Sequence, residues 1–103
     1  MDGPKILEVI GIYRKHFQEK GIGELDFPHG LIPGSDEEKL AHCHGMLDKM
    51  ESFVKEGRIE KAFRWLGFVQ GCLWSASHYS LEELMNHSRP RPEDAQKRRQ
   101  LCR

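Results

Sequence analysis

Apolar residues recur at helical spacing in several segments of the chain, and each repeat predicts a helix with one buried side. In residues 4–20 the repeat consists of Ile6, Ile10, Tyr13 and Phe17. Pro4 suits the first turn of this helix, and Gly21 favours its end. The following stretch is rich in Pro and Gly as far as Gly34, so we predict an ordered or partly ordered loop there.

Two further repeats predict an antiparallel pair of helices. Ser35 and Glu38 have the spacing of a capping box at the start of a helix over residues 36–56. Its apolar positions are Leu40, Cys43, Leu47, Met50 and Val54. The next helix, over residues 58–77, has the matching positions Ala62, Leu66, Val69, Leu73 and Ala76. Because only a short turn at Gly57 separates the two helices, we expect them to pack as a hairpin.

A short fourth helix is predicted from the capping-box pair Ser80 and Glu83, and it should end before Pro90. A chain of 103 residues can bury one modest core. The predicted fold is therefore a small all-α bundle over residues 1–90. It is built on the hairpin, with a flanking N-terminal helix and a short C-terminal helix.

The third helix carries more large apolar residues than its hairpin partner can cover. Those outside the repeat must pack on the first or fourth helix, on a second copy of the chain, or on a partner protein. Gln70 is a polar group on this mostly buried helix and needs a backbone group, a symmetry-related copy or a ligand as its partner. The candidate interaction residues are Trp65, Phe68, Gln70, Trp74 and Tyr79.

The sixteen basic and sixteen acidic residues cancel in the whole chain, but residues 89–103 carry six basic and two acidic side chains. Residues 91–103 are predicted to be a basic, flexible tail. Such a tail can contact phosphates, although no aromatic residues are interleaved with its arginines as platforms for bases. The candidate nucleic-acid contacts are Arg89, Arg91, Lys97, Arg98 and Arg99.

Histidine, cysteine and acidic residues form no set that predicts catalysis or metal binding. His42 and His44 lie on nearly opposite sides of a helix, so they cannot bind one ion together. Asp48 and Glu51 resemble half of the magnesium site of a helical pyrophosphohydrolase, but the third helix offers no matching pair. We therefore expect no enzyme activity, no cofactor and no metal.

The three cysteines also lack the pattern of a disulfide framework or a zinc site. Cys43, Cys72 and Cys102 are odd in number and widely spaced, and the first two lie on apolar helix positions. We expect them to be structural and reduced. With no apolar run at the N-terminus like that of a signal peptide, a cytoplasmic protein is predicted.

The third and fourth helices carry an uncommon run of residues. It extends from Glu60 to Trp74, continues from Tyr79 to Leu84 and from Asn86 to Pro90, and is preceded by His42, His44 and Met46. Over residues 40–90 the chain resembles a group of short uncharacterised proteins of tailed bacteriophages and prophages, which share an RWLGFxQGxLW helix followed by a YTxEEL…H.RP segment. The resemblance implies an origin in an infected bacterial cytoplasm, where small accessory proteins often bind host proteins, and it implies no activity.

The resulting hypothesis is a non-enzymatic accessory protein that binds a host or phage protein through its helical surface. One alternative is a nucleic-acid-associated regulator that uses the basic tail. Another is a nucleotide or small-molecule binding protein with its site around Gln70. A homo-oligomer is compatible with the first hypothesis, and no membrane association is expected.

Overall fold

The computed structural model describes residues 1–90. Within them the chain forms four α-helices and no strand: α1 (Gly3–Glu19), α2 (Asp36–Lys55), α3 (Ile59–Ser75) and α4 (Leu81–Ser88). The predicted all-α bundle is thus confirmed. The predicted tail, with Arg91, Lys97, Arg98 and Arg99, lies outside the described residues.

Side-chain caps fix the start of three helices. The Asp2 carboxylate accepts from the backbone N–H of Lys5 at 2.9 Å, next to Pro4 in the first turn of α1. At α4 the predicted capping box is complete, since Ser80 and Glu83 each accept from the other's backbone N–H at 3.1 Å. The reciprocal bonds of Ser80 and Glu83 thus satisfy two backbone N–H groups at the start of this short helix.

The capping box predicted at α2 is only half formed. The Ser35 hydroxyl accepts from the N–H of Glu38 at 3.2 Å. The Glu38 carboxylate reaches the N–H of Gly34 at 3.1 Å instead of that of Ser35. Helix α2 still begins where its sequence predicts, and its first turn carries three acidic residues that favour the positive end of the helix dipole.

Helices α1, α2 and α3 end in the same way. A residue with a left-handed backbone follows each helix, and its N–H and the next N–H donate to carbonyl groups in the helix's last turn. In α2, Gly57 has φ +80° and donates to the Val54 carbonyl, and Arg58 donates to the Phe53 carbonyl. These are the bonds of a Schellman motif. Gly21 serves the same purpose after α1, with φ +70°.

At the end of α3 this position is occupied by a serine. Ser77 has φ +65°, and its N–H and that of His78 bond the Trp74 and Leu73 carbonyls at 3.0 and 2.9 Å. A residue with a Cβ pays a steric penalty in this region that glycine avoids. The turn therefore forms because the surrounding bonds impose it, against the preference of its central residue.

The core lies between the α2–α3 hairpin and α1, which packs across both of its helices. Helix α4 closes one end by packing against α1, and it contributes Leu84. The side chains with essentially no exposure come from all three long helices: Ile6, Val9, Ile10, Tyr13, Phe17, Leu40, Cys43, Leu47, Met50, Ala62, Leu66, Val69 and Leu73. Almost all positions of α1, α2 and α3 that helical periodicity predicts to be buried thus form one continuous core. Val54 and Ala76 are only partly buried and pack against it.

None of the helices within residues 1–90 combines the length and the apolar character needed to cross a membrane.

The Ser77→Gly substitution should raise the free energy of unfolding by about 1 kcal/mol, because glycine adopts the left-handed conformation without a Cβ clash. Urea denaturation measures the change. The reciprocal control, Gly57→Ser, should lower stability by a similar amount. No gain for Ser77→Gly would show that this turn carries no steric penalty.

Candidate protein-interaction surface

One side of α3 is exposed and apolar. Phe63, Phe68 and Trp74 are 50%, 54% and 51% exposed, and Gly67 and Gly71 lie on the same side of the helix. We call these five residues the α3 ridge. Residues 65–77 contain no charged side chain, so from Gly67 to Trp74 the ridge presents an uncharged surface with two aromatic side chains to solvent. Arg64 and Glu60 are exposed near its first residue, Phe63.

The hairpin explains why this side of α3 faces outward. The opposite side carries Ala62, Leu66 and Val69, which are fully or almost fully buried in the core. Burial of these residues fixes the rotation of α3 about its own axis. The ridge residues are then left in solvent, although three of them are among the largest apolar side chains of the chain.

The two ridge glycines are not explained by packing within residues 1–90. A Cβ added at Gly67 or Gly71 would meet no atom within 4 Å. Glycine inside a helix costs about 1 kcal/mol relative to alanine, and it is used where another backbone must come close. Gly11 on α1 has similar open space but lies on a helix without exposed aromatic residues.

Apolar grooves flank the ridge on both sides. The groove beside α4 has a volume of about 330 Å³ and is lined by Gly71, Trp74, Leu81 and Met85, among others. The groove beside the loop before α2 has a volume of about 260 Å³, with Phe68 on one wall and Phe27 and Leu31 on the other. The volumes are at or below the low end of the range for small-molecule sites, and both grooves are continuous with the ridge.

Helix α2 holds this loop in place through the two histidines that resemble metal ligands in the sequence. His42 Nδ1 accepts from the N–H of Phe27 at 3.1 Å, and His44 Nδ1 donates to the Ile22 carbonyl at 2.8 Å. Gly45 lets the loop lie close, because a Cβ there would be 3.0 Å from the Leu25 carbonyl oxygen. The histidines therefore position one wall of the groove beside Phe68.

The five predicted interaction residues fall into two groups. Phe68 and Trp74 lie on the ridge, and Gln70 lines the groove beside α4. Trp65 is half-buried and meets the Phe53 ring edge-on at 4.8 Å. Tyr79 is also half-buried, among the aromatic rings of α1 and α4, so these two side chains pack inward.

Phe63, Leu81 and Met85 belong to the exposed apolar surface but were not among the predicted residues. For Phe63 the sequence does contain a signal, since it precedes Gly67 and Gly71 at four-residue intervals on one side of α3. The contribution of α4 depends on how that helix docks, which helical periodicity alone does not determine.

Gln70 finds its partners on two other helices. Its side-chain amide donates to the Tyr13 hydroxyl and to the Ser88 hydroxyl, each at 3.0 Å. The Tyr13 hydroxyl lies 3.1 Å from Nδ1 of His87. Burial raises the pKa of Tyr13 to about 12, so the phenol remains protonated. Gln70 thus joins α3 to α1 and α4, and no ligand is needed to satisfy it.

A pair of histidines extends this polar cluster. His16 Nε2 and His78 Nδ1 are 2.8 Å apart, and the Tyr79 ring lies 4.7 Å from that of His16. Burial and the neighbouring His78 lower the pKa of His16, with Lys20 acting in the same direction and Glu19 against it. This hydrogen bond needs an N–H on one ring and a nitrogen lone pair on the other, so two imidazolium rings could not form it.

Burial also lowers the pKa of His87, where Glu83 opposes and Lys5 assists the shift. The folded state therefore favours the neutral form of both His16 and His87.

Asp48 and Glu51, which resemble half of a magnesium site in the sequence, are both engaged by Arg14. One guanidinium nitrogen donates to Asp48 at 2.8 Å and the other donates to Glu51. These ion pairs raise the pKa of Arg14 against the effect of burial. The carboxylates thus link α2 to α1. Within residues 1–90, no three His, Cys, Asp or Glu side chains are grouped to hold a metal ion.

No protein-family model, curated protein or solved structure matches the chain.

Replacing Gln70 with alanine should lower the free energy of unfolding by about 1–3 kcal/mol, because the buried Tyr13 hydroxyl and the partly buried Ser88 hydroxyl lose their shared donor. Urea denaturation measures the loss. Gln18→Ala, at an exposed position of α1, is the matched control and should change stability by less than about 0.5 kcal/mol. Equal effects of the two substitutions would show that the Gln70 bonds contribute nothing.

Stability should decrease as the pH falls below the ordinary histidine pKa of 6.5. Because the folded state holds His16 and His87 neutral, the unfolded state binds more protons in this range. The free energy of unfolding, measured at pH 7.5 and 5.5 by urea denaturation, should fall less in His16→Gln than in the natural sequence. His29→Gln, on the exposed loop, is the control. A pH dependence unchanged by His16→Gln would contradict the assignment.

Proposed function

We propose that the protein is a non-enzymatic binding protein whose α3 ridge packs against an apolar helix of a partner protein. The observation that carries the proposal is the exposed, uncharged aromatic side of α3. Soluble monomers rarely leave large continuous apolar surfaces in water, and such surfaces mark interaction sites. Phe68 and Trp74 are the central residues of the proposed interface.

The chemistry of the ridge supports an apolar partner. Arg64 and Glu60 lie near one end of the ridge, and the remaining exposed positions of α3 offer a charged partner no counter-ion. Tryptophan is among the residues that most often dominate binding energy at protein interfaces, and Trp74 is half exposed here. The ridge glycines allow the backbone of a second helix to approach closely.

The grooves on either side of the ridge support the same interpretation. Each is of a size to receive single side chains of a partner, and each is lined mainly by apolar groups. The exposed residues Leu31, Leu81 and Met85 would extend the contact beyond α3.

A phage or prophage accessory protein that binds a host or phage protein in the bacterial cytoplasm fits this proposal. That origin rests on the resemblance of residues 40–90 to the phage group. Of the residues proposed for the alternative, a nucleic-acid regulator, only Arg89 lies within residues 1–90, and it donates to Asn86 at 2.8 Å. The small-molecule alternative is based on the need of Gln70 for a polar partner. The Tyr13 and Ser88 hydroxyls supply that partner within the chain.

The two ridge glycines separate binding from folding. The double substitution Gly67→Ala and Gly71→Ala should raise stability by about 1 kcal/mol per site. Capture of the partner by the immobilised chain from bacterial lysate should fall at least tenfold, because the new methyl groups block close approach. Quantitative mass spectrometry of the captured proteins measures the change.

Gly11→Ala is the matched control, since it adds the same methyl group to an exposed position of α1 and should stabilise the fold without affecting capture. Trp74→Ala should also reduce capture about tenfold or more. The proposal fails if the glycine double variant and the natural sequence capture the same proteins in equal amounts, or if the natural sequence captures none and is monomeric.

A further inference from the structure

Two cysteines from different helices meet in the middle of the α2–α3 interface. Cys43 lies about as far before the Gly57 turn as Cys72 lies after it, so antiparallel packing places them opposite each other. Cys43 is fully buried and Cys72 is 9% exposed. Both are free thiols, and the register of the two helices is fixed beside them by the 3.5 Å contact between Lys39 Nζ on α2 and the Ser75 hydroxyl on α3.

The surroundings make the two thiols unequal. The neighbouring Cys43 thiol lowers the pKa of Cys72, against the effect of burial and with help from Lys39. Cys72 and burial raise the pKa of Cys43. Cys72 is therefore the cysteine that ionises more readily, and it is the more exposed of the two. Cys43 stays protonated and is fully buried.

Lys39 is held near the pair by contacts on both helices. It lies one turn before Cys43 on α2, and its ammonium group is 3.5 Å from the Ser75 hydroxyl. That hydroxyl donates to the Cys72 carbonyl at 3.0 Å. A positive charge near a thiolate stabilises it and increases its share at neutral pH.

We propose that Cys43 and Cys72 form a redox-active dithiol, which a low-molecular-weight disulfide such as glutathione disulfide converts into an internal disulfide between α2 and α3. This modification site does not depend on the proposed binding function. The sequence does not indicate this pair, because any two of the three cysteines could meet and their spacing does not distinguish Cys43 and Cys72 from Cys102.

The reaction is a thiol–disulfide exchange in two steps. The Cys72 thiolate attacks one sulfur of glutathione disulfide, forms a mixed disulfide and releases one glutathione thiolate. The thiol of Cys43 loses its proton to that thiolate, directly or through solvent, and then attacks the sulfur of Cys72. The second glutathione leaves as a thiolate and takes up a proton from water. Two protein thiols are oxidised and one glutathione disulfide is reduced to two thiols.

The test uses the full-length chain with the single change Cys102→Ser, so that only the proposed pair remains. Incubation with glutathione disulfide at pH 7.5 should yield a monomer lighter by two hydrogen atoms, and peptide mapping should link Cys43 to Cys72. The melting temperature of the oxidised chain should rise by about 10 °C, because the bond closes the hairpin in the unfolded state, and a reductant should reverse the shift. A chain that stays reduced, forms only dimers, or stops at the glutathione adduct would overturn the proposal.

Two further measurements separate the pair from a single reactive cysteine. The rate of alkylation of Cys72 in the Cys102→Ser chain should have a pH midpoint below the ordinary cysteine value. A midpoint near the ordinary value of 9.0 would overturn the proposal without requiring any change in the core. In Cys43→Ala, also in the Cys102→Ser background, the midpoint should rise and oxidation should stop at the mixed disulfide. Cys72→Ala should leave Cys43 unreactive.

Discussion

The antiparallel packing of α2 on α3 determines most of what is distinctive in this molecule. A three-residue connection with Gly57 in the left-handed conformation leaves the two helices no other relative direction. Once Leu66 and Val69 are buried against α1 and α2, the opposite side of α3 has to face solvent. The same packing brings Cys43 and Cys72 together. The apolar surface and the thiol pair therefore follow from a single constraint, although they lie on different sides of α3.

The helices could be predicted from sequence because their signals are local. Spacings of three and four residues identified the buried sides, and Ser35, Ser80 and Gly57 marked helix ends correctly. The turn at Ser77 carries no such signal. Its left-handed conformation is imposed by hydrogen bonds to the end of α3, and serine, unlike glycine, does not favour that conformation. The half-formed box at Glu38 shows the same limit, since the choice between two neighbouring N–H groups depends on the path of the loop.

The candidate site was harder to predict because its geometry depends on contacts between distant segments. The sequence indicates that Gln70 needs a partner, but Tyr13 lies 57 residues away and only the packing of α1 on α3 identifies it. Trp65 and Trp74 look equivalent in the sequence. Phe53 covers Trp65, whereas among residues 1–90 Trp74 has no aromatic ring packed on it, and so Trp74 is the more exposed of the two. Side-chain environment, rather than residue type, separates a core aromatic from an interface aromatic.

The chain of hydrogen bonds through Tyr13 has a fixed direction. Because Gln70 donates to the Tyr13 hydroxyl, the phenol proton is free to point only toward Nδ1 of His87. The imidazole must then carry its own proton on Nε2, so the amide of one helix selects the tautomer of a ring on another. If the His87 ring were protonated, both Gln70 and His87 would donate to the Tyr13 oxygen, and the phenol O–H would lose its acceptor. The hydrogen bonds that connect α1, α3 and α4 therefore form with one arrangement of protons only.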